Sequence, residues 1–332
     1  MIISRTPFRI SFFGGSTDYP TWYREHGGVV LNTTIDKYCY ISCRYLPPFF
    51  DHKYLIRYRL REQVNSIDQI KHPSVRECLR FMRIEEGIEM VHTSDLPARS
   101  GIGSSSAFTV GFLNALYALS GRMVGKRQLA SNAIYVEQDI IGEDVGSQDQ
   151  VAAAFGGLNR IEFNGRENFF VQPVTVKQKK ITELQNHLMF FFTGFARTAS
   201  EIAAEQIQNT SVKSSELRTM KEMVEQAVNI LNNSSDGIES FGHLLNESWK
   251  LKRSLSSQIS TSAIDNMYDC ALKAGALGGK LCGAGGGGFM LLFVPPRKQR
   301  MVRKALKDLL YVPFHFENLG SQITLYANQE PY

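Results

Sequence analysis

Lys280-Leu281-Cys282-Gly283-Ala284-Gly285-Gly286-Gly287-Gly288-Phe289 is the stretch on which the fold of this chain turns. Glycine costs backbone entropy wherever it is ordered. Yet the run leads straight into Phe289-Met290-Leu291-Leu292-Phe293-Val294, a buried strand by composition. A bend without side chains at the head of such a strand means that another backbone or a ligand approaches closely there. A second bend of this kind lies upstream, at Pro97-Ala98-Arg99-Ser100-Gly101-Ile102-Gly103-Ser104-Ser105-Ser106-Ala107. Its small hydroxyl residues stand where the first turn of a helix leaves N–H groups unpaired. Successive N–H groups at a helix start, reached through glycine, can hold a phosphate because the donors and the helix dipole point the same way. A serine-capped helix after a tight turn accounts for the same residues. Two common nucleotide folds are disfavoured. A Walker A loop is one residue short at Gly275 to Lys280 and continues with Leu281 instead of Ser or Thr. Gly283, Gly285 and Gly288 satisfy a dinucleotide fingerprint nominally, but a helix is expected before the run and a strand after it, the reverse of that motif.

Outward from these bends the chain reads as mixed α and β. The first 45 residues alternate apolar runs such as Phe8-Arg9-Ile10-Ser11-Phe12-Phe13 with turn signals, a β-rich pattern. Ala107, Val110, Leu113, Leu116 and Tyr117 recur at helical spacing before Gly121, and a second helix is expected from Lys126 to Ile141, stopped by Gly142. Gly146-Ser147-Gln148-Asp149-Gln150 then leads a small apolar segment, so an acid stands at the head of a buried element. A strand pair and a basic connection are expected over residues 160–180, and a buried strand from His187 opens a second domain. Residues 198–256 are polar with helical spacing and predict a helical pair, and Ala263 to Ala276 predicts one more helix. Strands at Phe289 to Val294 and Ile323 to Ala327 close the pattern.

With 332 residues and 43% hydrophobic content, the chain can bury a large core and divide into two domains. The formal charge of +5 is spread out, and Lys177-Gln178-Lys179-Lys180 is too short for a nucleic-acid tract, so the basic residues are expected to serve a small anionic ligand. The five cysteines are odd in number and lack CxxC spacing, which argues against a disulfide framework or structural zinc and fits a reducing cytoplasm. The N-terminus does not read as a signal peptide, and no apolar run approaches the ~18 residues of a membrane span. Neither nucleic acid nor membrane is an expected partner.

Phosphoryl transfer needs a metal to neutralise phosphate charge and a carboxylate near the attacking hydroxyl. Glu137 and Asp149 are the candidates, though a solvated helix residue and a loop cap would look the same. Asp18, in Gly14-Gly15-Ser16-Thr17-Asp18, also reads as a plain turn residue, and Arg9 as a strand residue facing solvent. Their occurrence in order with both glycine bends resembles the GHMP kinases, the superfamily of galactokinase, homoserine kinase, mevalonate kinase and phosphomevalonate kinase. Thr6 to Tyr19 is similar to its N-terminal sugar-side motif, Pro97 to Ala107 to its phosphate-binding second motif, and Lys280 to Phe289 to its glycine-rich third. Within it, Gly14-Gly15-Ser16-Thr17-Asp18, Asn32-Thr33-Thr34-Ile35-Asp36, Gly146-Ser147-Gln148-Asp149-Gln150 and Phe192-Thr193-Gly194-Phe195-Ala196-Arg197 resemble the D-glycero-α-D-manno-heptose-7-phosphate kinases. Gly15-Ser16 stands where galactokinases carry Glu-His, which argues against a galactokinase.

The resemblance implies an α+β, two-domain GHMP kinase fold. Residues 1–180 would form a domain like the second domain of ribosomal S5, holding the ATP and sugar motifs, and residues 181–332 a ferredoxin-like domain holding the third motif. It implies ATP and Mg²⁺ as cofactors and phosphorylation of a sugar's anomeric hydroxyl, first of all heptose 7-phosphate to the 1,7-bisphosphate on the way to GDP-heptose. Phosphorylation of another sugar, and a non-catalytic sugar sensor, are the alternatives. Carried over residue by residue, Asp149 matches the catalytic acid and Arg9 its cationic neighbour. Pro97, Gly101, Ile102, Gly103, Ser104, Ser105 and Ser106 match the nucleotide loop, and Ser105 and Glu137 the magnesium ligands. Gly14, Gly15, Ser16, Asp18, Gly285 and Gly286 fall on the substrate side, where Arg197, or else Lys280, would take the substrate's own phosphate. The resemblance leaves the oligomeric state open, a homodimer included.

Overall fold

The computed structural model describes residues 1–332 apart from 166–167, 195–198, 211, 234–236 and 328–332. The first sheet starts with β1 (Ile2–Phe13), antiparallel to β2 (Gly28–Tyr45), and the short α1 (Pro20–His26) lies in the connection. Pro20 suits the first turn of α1 because the missing N–H would be unpaired there anyway. A hairpin of β3 (Tyr54–Arg57) and β4 (Arg61–Val64) follows, then α2 (Pro73–Met82) and β5 (Ile88–Ser94). Next come α3 (Ser104–Leu119), α4 (Lys126–Tyr135), α5 (Gln148–Phe155) and the hairpin of β6 (Asn159–Asn164) and β7 (Asn168–Pro173). These strands belong to a nine-stranded sheet with the order β-strands 1, 2, 5, 3, 4 along its main path, and β6 joins β2.

Helix α3 is covered nearly all round. Ala107, Val110, Leu113 and Leu116 are buried as the spacing predicts, and so are Phe108, Phe112 and Ala115 between them. A helix apolar on every side is one sunk in a core. Gly111 lets it sit close on β1, since a Cβ there would lie 2.7 Å from Thr6 Oγ1.

After α6 (Gln178–Asn186) the chain enters the second sheet at β8 (Leu188–Phe192). The stretch expected to hold a helical pair contains three helices instead, α7 (Ala199–Gln208), α8 (Ser214–Asn232) and α9 (Glu239–Ser254), followed by α10 (Ser262–Lys273). Next come β9 (Gly278–Leu281), β10 (Phe289–Phe293), α11 (Gln299–Ala305) and β11 (Leu310–Tyr311). The four strands lie in the order β11-β8-β10-β9, all antiparallel. With helices after the first and third strands, this is the ferredoxin-like arrangement. The glycine run is therefore the loop of a hairpin: a strand precedes it directly, where the sequence pattern predicted a helix.

Two further differences concern boundaries. The helix expected to continue to Ile141 gives way at Val136 to a π-helical turn, Val136–Ile141, closed by Gly142 at φ 78°. The chain also does not keep to the second sheet up to its end, because β12 (Phe316–Glu317) pairs with β2 and β13 (Gln322–Tyr326) with β1.

Candidate active site

Arg9 lies between Phe8 and Ile10 in β1, and strand alternation turns it to the opposite face from both. Far from facing solvent, it is 5% exposed. Its Nε donates to Asp149 Oδ1 at 2.6 Å and its Nη2 to Oδ2 at 2.8 Å, while Nη1 donates to the Gly101 carbonyl at 2.7 Å. A bidentate fork of this kind is the strong form of the ion pair. Burial by itself lowers the Arg9 pKa, and the Asp149 carboxylate more than offsets it, so the guanidinium is held charged. Asp149 sits in the first turn of α5, where the helix dipole favours an anion. It keeps 22% of its side chain exposed against 6% for Arg9. The carboxylate is thus the member of the pair that an incoming molecule can reach.

The two glycine bends meet each other. A Cβ on Gly101 would lie 2.3 Å from the Cys282 carbonyl oxygen, one on Gly283 2.4 Å from Gly101 Cα, and one on Gly288 2.2 Å from the Ser100 carbonyl oxygen. No side chain can occupy such gaps, so the close approach read from the glycine run is by another backbone. Gly103, at φ 73°, caps α3, and a Cβ there would lie 3.2 Å from both Arg9 Cγ and Asp149 Oδ2. The first helical bond runs from Ala107 N to Gly103 O, which leaves the amides of Ser104, Ser105 and Ser106 free of helical partners as a cradle for anionic oxygens. Ile102 is wholly buried, and its carbonyl accepts from Arg9 N at 3.1 Å. Ser104 Oγ accepts from Arg99 N at 3.1 Å and so closes the loop, whose first residue, Pro97, is exposed.

On the third side lies the loop after β1. Gly14, at φ 76°, packs against β2, where a Cβ would lie 1.9 Å from the Val29 carbonyl oxygen. Ser16, also in the left-handed region at φ 81°, donates to Gln206 Oε1 at 2.9 Å. Gln206 Nε2 in turn donates to Ala284 O at 2.8 Å, so one amide ties the first motif to the third. Asp18 accepts from Ser16 N at 3.0 Å and from Gln148 N at 3.4 Å. Its pKa is raised, by burial first and then by Asp149. Gly15 has ordinary space around it. Gly285 is pressed on Ile259, and Gly286 N donates to Ile259 O at 2.9 Å, so these two expected substrate contacts serve the packing of the loop.

Glu137 lies in the π-helical turn and is wholly buried. Ser106 Oγ donates to its Oε2 at 2.9 Å and Gln150 Nε2 donates to the same oxygen, while Oε1 has no partner. Burial, opposed by Thr109 and aided by Glu143, pushes its pKa up to about 7. A buried carboxylate oxygen without a partner is what a cation would satisfy. The hydroxyl beside it is that of Ser106, whereas Ser105, the serine expected there, is exposed on the first turn of α3. One residue of helix rotates the side chain by about 100°, which separates the two hydroxyls. Among the described residues no group of three or more His, Cys, Asp or Glu is gathered for a metal. Magnesium keeps water and phosphate oxygens, takes few from protein, and would not require such a group.

The structure thus gathers Arg9, Asp149, Asp18, Gly101 and Gly103 in one place, with Glu137 joined to it through Gln150 on α5. Arg197 lies outside the described residues. Lys280 is buried with its Nζ 3.1 Å from Phe12 O, which answers to a structural post more than to a phosphate contact. Gln206, Gln150 and Lys252 were not expected from the sequence. Lys252 had a readable signal, since it continues the buried spacing of Phe241, Leu245 and Trp249 along α9.

Comparison with known proteins places this geometry. The model of the GHMP kinases N terminal domain matches residues 72–157, and that of the GHMP kinases C terminal region matches residues 234–312. The D-glycero-alpha-D-manno-heptose 7-phosphate kinase of Campylobacter jejuni is 30% identical over 92% of this chain and 93% of its own length. A galactokinase from Pyrococcus furiosus is 26% identical, covering 92% of each chain. The crystal structure of a D-glycero-D-manno-heptose 1-phosphate kinase from Bacteriodes thetaiotaomicron superposes with a TM-score of 0.78, covering 98% of this chain and 100% of that one at 24% identity.

Proposed function

This chain belongs to the GHMP kinases and is a sugar kinase, and from that premise we propose that it carries the γ-phosphoryl group of ATP to the anomeric hydroxyl of D-glycero-D-manno-heptose 7-phosphate. The observation that carries the reading is the Arg9–Asp149 fork set against the Gly101 turn, because it puts a reachable carboxylate beside an anion cradle. The Campylobacter relative supports the choice of sugar.

Asp149 aligns the sugar hydroxyl and takes its proton as the oxygen bonds to phosphorus. Arg9 fixes that carboxylate and adds positive charge where negative charge gathers. Loose phosphoryl transfer asks chiefly for such positioning and charge. The amides of Ser104 to Ser106 receive phosphate oxygens, and Asp18 accepts from a hydroxyl of the sugar. Glu137, with Ser106 or Ser105, would hold magnesium, which when bound neutralises phosphate charge. Arg197, whose planar fork suits phosphate oxygens, is assigned to the 7-phosphate.

ADP release measured over heptose 7-phosphate, free heptose, mannose, fucose, galactose and mevalonate tests the reading. Heptose 7-phosphate should exceed free heptose in kcat/KM by at least ~10²-fold, since a remote phosphate contributes to transition-state binding. Equal use of the two sugars would sink the heptose-phosphate assignment and leave the sugar kinase.

A further inference from the structure

Two lysines are buried directly behind the site, Lys252 of α9 at 5% exposure and Lys280 of β9 at 2%. Each donates to a backbone carbonyl in place of a carboxylate: Lys252 Nζ to Gly283 O, and Lys280 Nζ to Phe12 O at 3.1 Å. Both carbonyls sit at irregularities. The pairing of β1 with β2 slips between Ser11 and Phe13, so Phe12 falls in a bulge, the kind of place where a strand leaves a polar group without its ladder partner. Gly283 lies at the turn that touches Gly101, whose own carbonyl accepts from Arg9.

Burying an ammonium is costly, and a well-packed apolar side chain would avoid that cost. Burial is also the largest cause of the depressed pKa of both groups, about 8 for Lys252 with Arg9 next in effect, and about 7 for Lys280 with Lys252 next. Cys282, Asp18 and Asp149 are the other titratable groups that face Lys252, and Cys282, Arg9 and Asp18 those that face Lys280. Amines buried at such a cost beside the Arg9–Asp149 pair mark a functional arrangement.

We propose that Lys252 and Lys280 are positioning residues for phosphoryl transfer, reaching from the second sheet and its helices to hold the Gly283 turn and the β1 bulge, and through them Arg9, Asp149 and the Gly14–Asp18 loop. The inference rests on the kinase reading of the site. Lys252 acts one contact behind the Gly101 turn that Arg9 grips. Lys280 anchors β1 three residues beyond Arg9 and directs the chain into the substrate-side loop.

The test uses the full chain and the best sugar of the substrate panel. Lys252→Met should lower kcat by about 10-fold or more, with KM for both substrates within about threefold, because misplacement acts on the reacting geometry more than on binding. In the absence of any substrate, amide exchange followed by mass spectrometry should quicken in the peptide over 280–289 and stay unchanged in α3. A kcat within about threefold of wild type, or a loss confined to KM, overturns the proposal. Should Lys252→Met not fold, Lys252→Gln, which keeps a donor without the charge, is judged by the same criteria, and failure of both to fold makes Lys252 a structural residue and also overturns it. Wild-type inactivity on every sugar would instead count against the proposed function.

Discussion

The contact between the two glycine turns can be isolated by substituting one glycine and comparing it with a glycine that shares its backbone conformation but touches nothing. Gly101 has φ 80°, and an added Cβ would meet the carbonyl oxygen of Cys282 at 2.3 Å and its carbonyl carbon at 2.7 Å. Gly121 has φ 65° and nothing within 4 Å. Gly121→Ala therefore bears only the left-handed penalty, about 1–2 kcal/mol. Gly101→Ala bears the same penalty plus an overpacking cost of about 1–3 kcal/mol, because the obstructing atoms are backbone and cannot rotate aside. The effect of alanine on the unfolded chain is common to both variants and cancels in the comparison. Urea unfolding of the two variants and the wild type, read by circular dichroism, should place Gly101→Ala about 1–3 kcal/mol below Gly121→Ala. A difference under about 0.5 kcal/mol, the size of ordinary surface effects, would mean that the second and third motifs do not meet as described.

Asp149→Asn should lower kcat by roughly 10²-fold or more, and should also lower stability by about 1–3 kcal/mol, because half the fork to a buried guanidinium is lost; turnover within about threefold of wild type would remove Asp149 from the mechanism. Glu137→Gln should raise the magnesium concentration for half-maximal rate, and Ser106→Ala should do so more than Ser105→Ala; unchanged magnesium dependence in Glu137→Gln would mean the cation sits elsewhere. Burial pushes the Lys280 pKa down to about 7 in the folded chain from the ordinary lysine value of 10.5, so between these values the unfolded chain binds more protons and the lysine's contribution to stability rises with pH. The melting temperature of Lys280→Met should accordingly gain less than that of the wild type between pH 7 and pH 10, and parallel curves would contradict the shifted titration.

How much of this was legible beforehand depends on whether a feature is local. The glycine run announced a close approach because φ and the missing Cβ are properties of the residues themselves, and the apolar spacing of α3 predicted a buried helix that exists. Whether the glycine run faced a ligand or a backbone was settled by Gly101, 182 positions upstream of Gly283, and no local pattern carries that. The order of strand and helix around the run is not legible in the sequence, because Gly278 to Leu281 is too short to show a period of two. Arg9 among apolar neighbours looked like a strand residue turned to solvent until Asp149 arrived from α5. Lys252, inside Lys250-Leu251-Lys252-Arg253, reads as part of a solvated face, and only its spacing from Trp249 and Leu245 hints otherwise. The choice between Ser105 and Ser106 rests on helical phase, which a boundary uncertain by one residue cannot fix.

The pairing of β13 with the start of β1 has a consequence for how the molecule is made. Ile2 faces Tyr326 and Arg5 faces Gln322, and the Met1 amine donates to Ala327 O at 2.7 Å. Until β13 is synthesised, the strand that carries Arg9 is the open margin of its sheet. At ribosomal speeds of roughly 5–20 residues per second, the wait over about 320 residues lasts roughly 16–64 s. For that time the nascent chain displays a strand margin beside Arg9, the kind of surface to which another chain can add a strand. Protection of that margin from self-association therefore waits on β13, which follows every residue of the candidate site in the chain.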